Sequence, residues 1–129
     1  MTFGLAIFVI ANSYGQSVGD QFRYAGDGGM NLIYQITHWT NKSDGDNQVC
    51  VSGTGDTPET VKIPQTVTDS HNNKYKVVSV FRFADAIKVK KIEIPEGVTT
   101  ISKGAFGRLT GLQSISLPAS LTKIEDAAF

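Results

Sequence analysis

The chain has one cysteine and two histidines in 129 residues. One cysteine cannot form an intramolecular disulfide, and with two scattered histidines it cannot complete a structural zinc site. No metal or other cofactor is therefore expected. Twelve basic and twelve acidic side chains cancel, so no long-range field attracts nucleic acid, which is not an expected partner.

The sequence also lacks an apolar run long enough to span a membrane. Residues 3–11 are apolar, but a membrane-spanning helix needs about 20 such residues. Nine is the length of a signal-peptide core, and Ser13 and Gly15 place small residues at the −3 and −1 positions of a cleavage site. We therefore predict a signal peptide at 1–15, with no transmembrane segment in the mature chain. No lysine or arginine precedes the run, which leaves open a start upstream of Met1, and a buried strand is the alternative interpretation.

Strand-forming residues are abundant. Isoleucine, valine and threonine together make up 34 of the 129 residues, and 13 glycines are spaced among them. β-Branched residues favour strands, and glycine favours the turns between them. The composition predicts a mainly β fold with short helical turns.

The second half of the chain repeats itself with a period of 23 residues. The apolar pattern of residues 98–118 recurs 23 positions later until the chain stops, and stepping back 23 positions gives a degenerate earlier unit in which Arg82 replaces the alanine. A further half unit at 61–67 matches 92–98 at a spacing of 31, with a turn at 69–74. The equivalences include Tyr75 with Val98, Val78 with Ile101, Arg82 with Ala105 and Ala128, and Phe83 with Phe106 and Phe129.

The repeat contains a short strand in each unit. Leu112, Ile115 and Leu117 form the L-x-x-L-x-L core of a leucine-rich repeat, and Pro118 ends the strand. No unit can bury its apolar edge alone, so strands at 62–63, 92–94 and 115–117 are expected to stack in parallel about 4.8 Å apart. Ile115 and Leu117 are expected to face the core, and the Ala-Phe pair to fill the opposite side of each coil.

Proline after the strand and Ala-Phe in the return segment resemble the BspA-like bacterial surface leucine-rich repeat family. Residues 94–106 carry this resemblance, and so does the segment 61–68 followed by a hairpin. The resemblance covers residues 58–129 and implies a solenoid of parallel strands. It also implies a secreted or cell-surface bacterial protein involved in host or matrix contact.

Residues 16–57 contain two strand candidates, at 32–37 and 48–52. A β-hairpin here is interpreted as an N-terminal cap over the first coil, with Tyr34 and Trp39 providing much of the cover. The leucine-rich repeats then occupy 58–129. Because the chain stops at Phe129 in the middle of a repeat, we expect it to be a piece of a longer array.

The outward side chains of the repeat strands are the candidate binding residues. They fall into three predicted columns: Lys62, Glu93 and Ser116 in the first, Thr60, Lys91 and Ser114 in the second, and Glu59, Lys90 and Gln113 in the third. Lys62 is expected to pair with Glu93 across strands, with a small stabilising effect. No acid, base and nucleophile converge, so no catalytic residue is predicted. The predicted binding residues are Lys62, Lys90, Lys91, Glu93, Gln113 and Ser116.

These observations predict a non-catalytic, exported binding or adhesion module. Extended repeat surfaces suit macromolecular partners because they offer a broad area without a deep pocket. The expected partner is an extracellular protein or matrix component, with a glycan as an open alternative. Two other functions also stay open: the N-terminal repeats of a longer extracellular enzyme, and a self-associating structural surface protein.

Overall fold

The computed structural model describes residues 17–42 and 45–129, so the predicted signal peptide lies outside the described residues. Within them the chain is almost entirely strands and turns, with one short 3-10 helix at Ala25–Asp27. The strands are β1 Gln21–Phe22, β2 Ile33–His38, β3 Asn47–Ser52, β4 Thr60–Lys62, β5 Thr66–Thr68, β6 Lys74–Val80, β7 Lys91–Glu93, β8 Thr100–Ile101, β9 Ser114–Ser116 and β10 Lys123–Ile124.

The strands described form two sheets. The larger has the order β1-β2-β3-β6-β8-β10, with β5 paired to β6, and the smaller has the order β4-β7-β9. Strands β3, β6, β8 and β10 run parallel to one another, as do β4, β7 and β9. The predicted parallel stack of repeat strands is confirmed, with each strand beginning and ending slightly earlier than expected.

The core is continuous from the first hairpin to the last coil. The hairpin strands β2 and β3 pair where two strands were predicted, and Tyr34 is fully buried while Trp39 stacks on Tyr75 with ring centroids 6.1 Å apart. Apolar side chains from Met30 to Ala128 join one cluster. The domain boundary after residue 57 stays a prediction, since side chains on both sides of it share this core.

A ladder of phenylalanine rings fills the return side of the coils. The Phe83 and Phe106 ring centroids are 5.6 Å apart, and those of Phe106 and Phe129 are 5.5 Å apart. The backbone is in the same register, because the Phe83 N–H donates to Ala105 O and the Phe106 N–H donates to Ala128 O. The predicted equivalence of the three phenylalanines is confirmed.

The strand register of the first coil corrects the 23-residue alignment. Ile124 pairs with Ile101 at a spacing of 23, but Val80, not Val78, pairs with Ile101. The connection from Val80 to Phe83 is two residues shorter than the one from Ile101 to Phe106. The longer connection turns through the left-handed backbone of Gly104, with φ 68°, and the shorter one has no such residue. A repeat aligned on its phenylalanines therefore misplaces the strand before them.

The last described coil is only partly covered. Ile63 and Ile94 are buried, as expected for inward positions, whereas the equivalent Leu117 is 44% exposed. Leu117 was expected to face the core, and its exposure arises because β9 has, among the described strands, a neighbour on one side only.

Asp69 organises the turn between β5 and β6. Its Oδ1 accepts the backbone N–H groups of His71 and Asn73, and its Oδ2 accepts the Asn73 amide and the Tyr75 hydroxyl, at 2.7–3.0 Å. Burial opposes ionisation of this carboxyl, but the hydrogen bonds from Asn73, Tyr75 and His71 outweigh it, so the pKa of Asp69 is lowered. The charged form is therefore part of the folded structure.

We expect this carboxylate to make stability depend on pH. A carboxyl whose pKa is lower in the folded chain contributes stability above its unfolded pKa of about 3.9, and that contribution is lost as the pH falls through the folded value. Urea unfolding between pH 3 and pH 7 should show a decline toward acid that Asp69→Asn flattens, with a loss of about 1–3 kcal/mol at pH 7. The exposed Asp56→Asn is the control; equal pH profiles for Asp69→Asn and the wild type would contradict the assignment.

Candidate functional site

The candidate site is the outward face of β4, β7 and β9, which we call the strand face. Because successive side chains of a strand point to opposite sides, the inward Val61 and Ile92 are fully buried while their neighbours face solvent. A short strand with one apolar residue between two polar ones therefore presents two outward positions, and three stacked strands repeat them.

The predicted columns are confirmed by the strand register. Thr60, Lys91 and Ser114 are Cα partners, and so are Lys62, Glu93 and Ser116. The residues of the third column immediately precede the three strands. There the N–H of Lys90 donates to Glu59 O at 2.7 Å, and the N–H of Gln113 donates to Lys90 O at 2.8 Å. The register thus places Lys62, Lys91, Glu93 and Ser116 on the outward face, and the exposed Lys90 and Gln113 lie immediately before β7 and β9.

The ion pairs on this face differ from the one expected. Glu93 pairs with Lys91 on its own strand, with Nζ and Oε2 3.9 Å apart, and not with Lys62. The two residues flank the inward Ile92, so both project to the same side of the strand. The prediction of a Lys62–Glu93 ion pair is wrong, although their backbones are in register. Lys62 is consequently an exposed cation without an ion pair in the described part of the chain.

A second ion pair joins Lys90 to Glu59 across the coil boundary. The Lys90 Nζ lies 2.8 Å from Glu59 Oε1. The hydrogen bond from Lys90, together with its charge, lowers the pKa of Glu59. Both groups are largely exposed, so the pair contributes little stability and remains available to a partner.

The strand face and its surroundings offer binding contacts rather than reactive groups. Within 17–42 and 45–129, no three His, Cys, Asp or Glu side chains come together in a way that could hold a metal ion. His38 lies at the end of β2, and His71 lies in the β5–β6 turn. Cys50 is buried, as predicted from its position between Val49 and Val51, and burial raises the pKa of its thiol, which disfavours the nucleophilic thiolate.

Two arginines on the return side of the coils were not predicted as site residues. Arg82 and Arg108 line a cleft of about 500 Å³ whose floor is formed by small residues, including Gly104 and Gly107. Neither guanidinium forms an ion pair with another described residue. The sequence carried a signal for Arg82, since it replaces the alanine that the later repeats have at the equivalent position, where Ala105 and Ala128 are buried.

No helix among the described residues is both long enough and apolar enough to cross a bilayer.

Comparisons with known proteins agree with this geometry. Residues 76–129 match a family model described as a BspA type leucine-rich repeat region of six copies. No curated protein matches the chain. Among solved structures, a leucine-rich repeat protein from Bacteroides ovatus ATCC 8483 is 35% identical with a TM-score of 0.49, and the match covers 67% of this chain and 23% of that one. The chain thus spans about a quarter of that protein's length. Residues 76–129 are thus similar to leucine-rich repeat regions of the BspA type.

Proposed function

We propose that this chain is the binding region of an exported bacterial surface protein, and that its strand face recognises an extracellular protein or matrix partner without catalysis. The observation that carries the proposal is the alignment of outward polar side chains into regular columns on β4, β7 and β9. Such a face offers many weak polar contacts over a flat area, which suits a macromolecule better than a small ligand.

The chemistry of the strand face supports a protein partner. Lys90 and Lys91 each lie beside a carboxylate, and Lys62 adds an uncompensated positive charge. Mixed charges in a fixed arrangement provide specificity and set the association rate more than they provide affinity. No aromatic side chain lies in the three columns, which disfavours stacking on sugar rings.

The remaining parts of the proposal concern the N-terminal region. The hairpin of β2 and β3 joins the array because β3 pairs in parallel with β6, which supports a cap within 16–57. The leader at 1–15 is proposed from its sequence. Surface or secreted location follows from that leader and from the family resemblance.

Exchanging the two charges of the Lys91–Glu93 pair tests the strand face. Lys91→Glu with Glu93→Lys conserves net charge while reversing the pattern, and should weaken partner binding about tenfold by placing like charges opposite each other. Biolayer interferometry against a panel of purified extracellular proteins and matrix glycans measures the change.

The matched control is the same exchange at Lys123 and Glu125, an ion pair of 3.3 Å between β10 and the residue that follows it. It should change the affinity less than twofold. If both exchanges have equal effects, or if the strand-face exchange has none, the binding surface lies elsewhere on the molecule.

A further inference from the structure

Strand β4 forms one edge of the smaller sheet, and its backbone hydrogen bonds to β7 use only alternate residues. Glu59 O accepts the N–H groups of Lys90 and Lys91, and the Ile63 N–H donates to Glu93 O at 3.1 Å. Because backbone groups of successive strand residues point to opposite edges, those of Thr60 and Lys62 point away from β7.

A second contact confirms this direction. The Lys62 N–H lies 3.2 Å from Sδ of Met30, which therefore sits beside the outer edge of β4. A thioether sulfur is a weak acceptor. Within 17–42 and 45–129, no strand pairs with this edge, and no backbone group bonds to the Thr60 N–H, the Thr60 C=O or the Lys62 C=O.

A groove runs along the same edge. It has a volume of about 630 Å³, within the range of ligand-binding clefts. The 3-10 turn containing Gly26 and Gly28 lines it together with β4, and Met30, Ile63 and Pro64 supply apolar surface. The groove thus combines unpaired backbone groups at strand spacing with apolar surface beside them.

Among the charged residues lining the groove, only the positive charge of Lys62 is exposed to a partner. Asp27 also lines it, but this carboxylate is buried and accepts the N–H groups of Met30 and Leu32 and the Tyr34 hydroxyl. Lys62 is exposed and is free of ion pairs within the described residues. A ligand side chain near Lys62 is therefore favoured when it is acidic.

We propose that this groove binds one extended segment of a partner protein, which adds to β4 as an antiparallel strand and places an acidic side chain beside Lys62. One residue of the segment exchanges both backbone hydrogen bonds with Thr60, as a hydrogen-bonded pair of an antiparallel ladder does. A second residue donates its N–H to the Lys62 C=O, and its own C=O takes the place of the Met30 sulfur at the Lys62 N–H, so the Met30 side chain moves aside on binding. The site is the outer edge of β4 and shares Thr60 and Lys62 with the strand face, but it uses their backbone groups, so the proposal does not depend on the function proposed for that face.

A second copy of this chain is a poorer occupant. Antiparallel pairing of two β4 strands about Thr60 would place Lys62 opposite Pro58 of the other copy. Proline has no N–H to donate to the Lys62 C=O. A separate extended peptide has no such restriction, and it does not bring a second turn like the one at Gly26 and Gly28 to the edge of β4.

Thr60→Pro with Thr60→Val as its matched control tests the proposal. Proline removes the outward N–H, which β7 does not use, whereas valine keeps that N–H and loses only the hydroxyl. The probe is a fluorescein-labelled nonapeptide of alternating threonine and valine with a central glutamate, measured by fluorescence polarisation. Thr60→Pro should weaken binding about fivefold and Thr60→Val less than twofold.

Replacing the central glutamate of the probe by glutamine should weaken binding to the wild type about threefold, and have no effect on Lys62→Gln. Hydrogen exchange of the wild-type chain provides a readout that does not depend on variant folding, since the probe should protect the Thr60 amide. Absence of probe binding, equal binding by Thr60→Pro and Thr60→Val, or an unprotected Thr60 amide would overturn the proposal. Dimerisation of the chain alone that Thr60→Pro abolishes would overturn it in favour of a second copy.

Discussion

Phe106→Ala is expected to lower the free energy of unfolding by about 3–5 kcal/mol, the range measured for large-to-small aromatic substitutions in cores. The Phe106 ring is 3% exposed and lies between the rings of Phe83 and Phe129. Its removal leaves a cavity in the middle of the ladder, and neither neighbouring ring can fill it without leaving its own coil. Urea denaturation followed by circular dichroism measures the loss.

Phe129→Ala is the matched control for this substitution. Its ring occupies the equivalent position, but 57% of the residue is exposed, so the expected loss is below about 1 kcal/mol. Equal losses for the two variants would show that the ladder is not the continuous core that the ring distances indicate.

Gly53→Ala is expected to destabilise the chain by about 1–3 kcal/mol through overpacking. Gly53 occupies the position below Phe83 in the return-side stack, since its N–H donates to Arg82 O at 2.9 Å. A Cβ at this residue would lie 2.2 Å from Cδ2 of Phe83. The Phe83 ring is fully buried, so it cannot move away without opening the core.

Gly55→Ala provides the comparison two residues later. A Cβ there would lie 3.6 Å from the Asp85 carbonyl oxygen, an ordinary van der Waals distance. Thermal unfolding should show a lower midpoint for Gly53→Ala and little change for Gly55→Ala. A stable Gly53→Ala variant would mean that the Phe83 ring does not rest on this glycine.

Phe106 and Gly53 also show which structural roles could be predicted from the sequence and which could not. The phenylalanine ladder was predictable because Phe83, Phe106 and Phe129 share a spacing of 23. The role of Gly53 was not, since it precedes the repeat and its function is to leave space for a ring that lies 30 positions later in the chain. A requirement for empty space has no periodic signal in the sequence.

On the strand face, too, some features could be predicted from the sequence and others depended on the structure. Strand stacking and the outward columns follow from alternating polarity at repeat spacing, so the outward positions of Lys62, Lys91, Glu93 and Ser116 could be predicted from the sequence. The partner of Glu93 depended on side-chain reach, and Lys91 on the same strand forms the ion pair instead of Lys62. The pairing of β6 with β8 also differed from the 23-residue alignment, because the connection from β6 to Phe83 is shorter than the corresponding connection in the next coil.

The apolar period alone determined that the repeat region is a stack of parallel β-coils with Phe83, Phe106 and Phe129 at equivalent return positions, because burial imposes the same spacing on these coils. Only the tertiary structure decided which edges stay unpaired. Met30 lies beside β4 through its contact with the Lys62 N–H, and these two residues are 32 positions apart. Hydrogen bonding at a sheet edge depends on what the rest of the chain places there, and local sequence does not encode it.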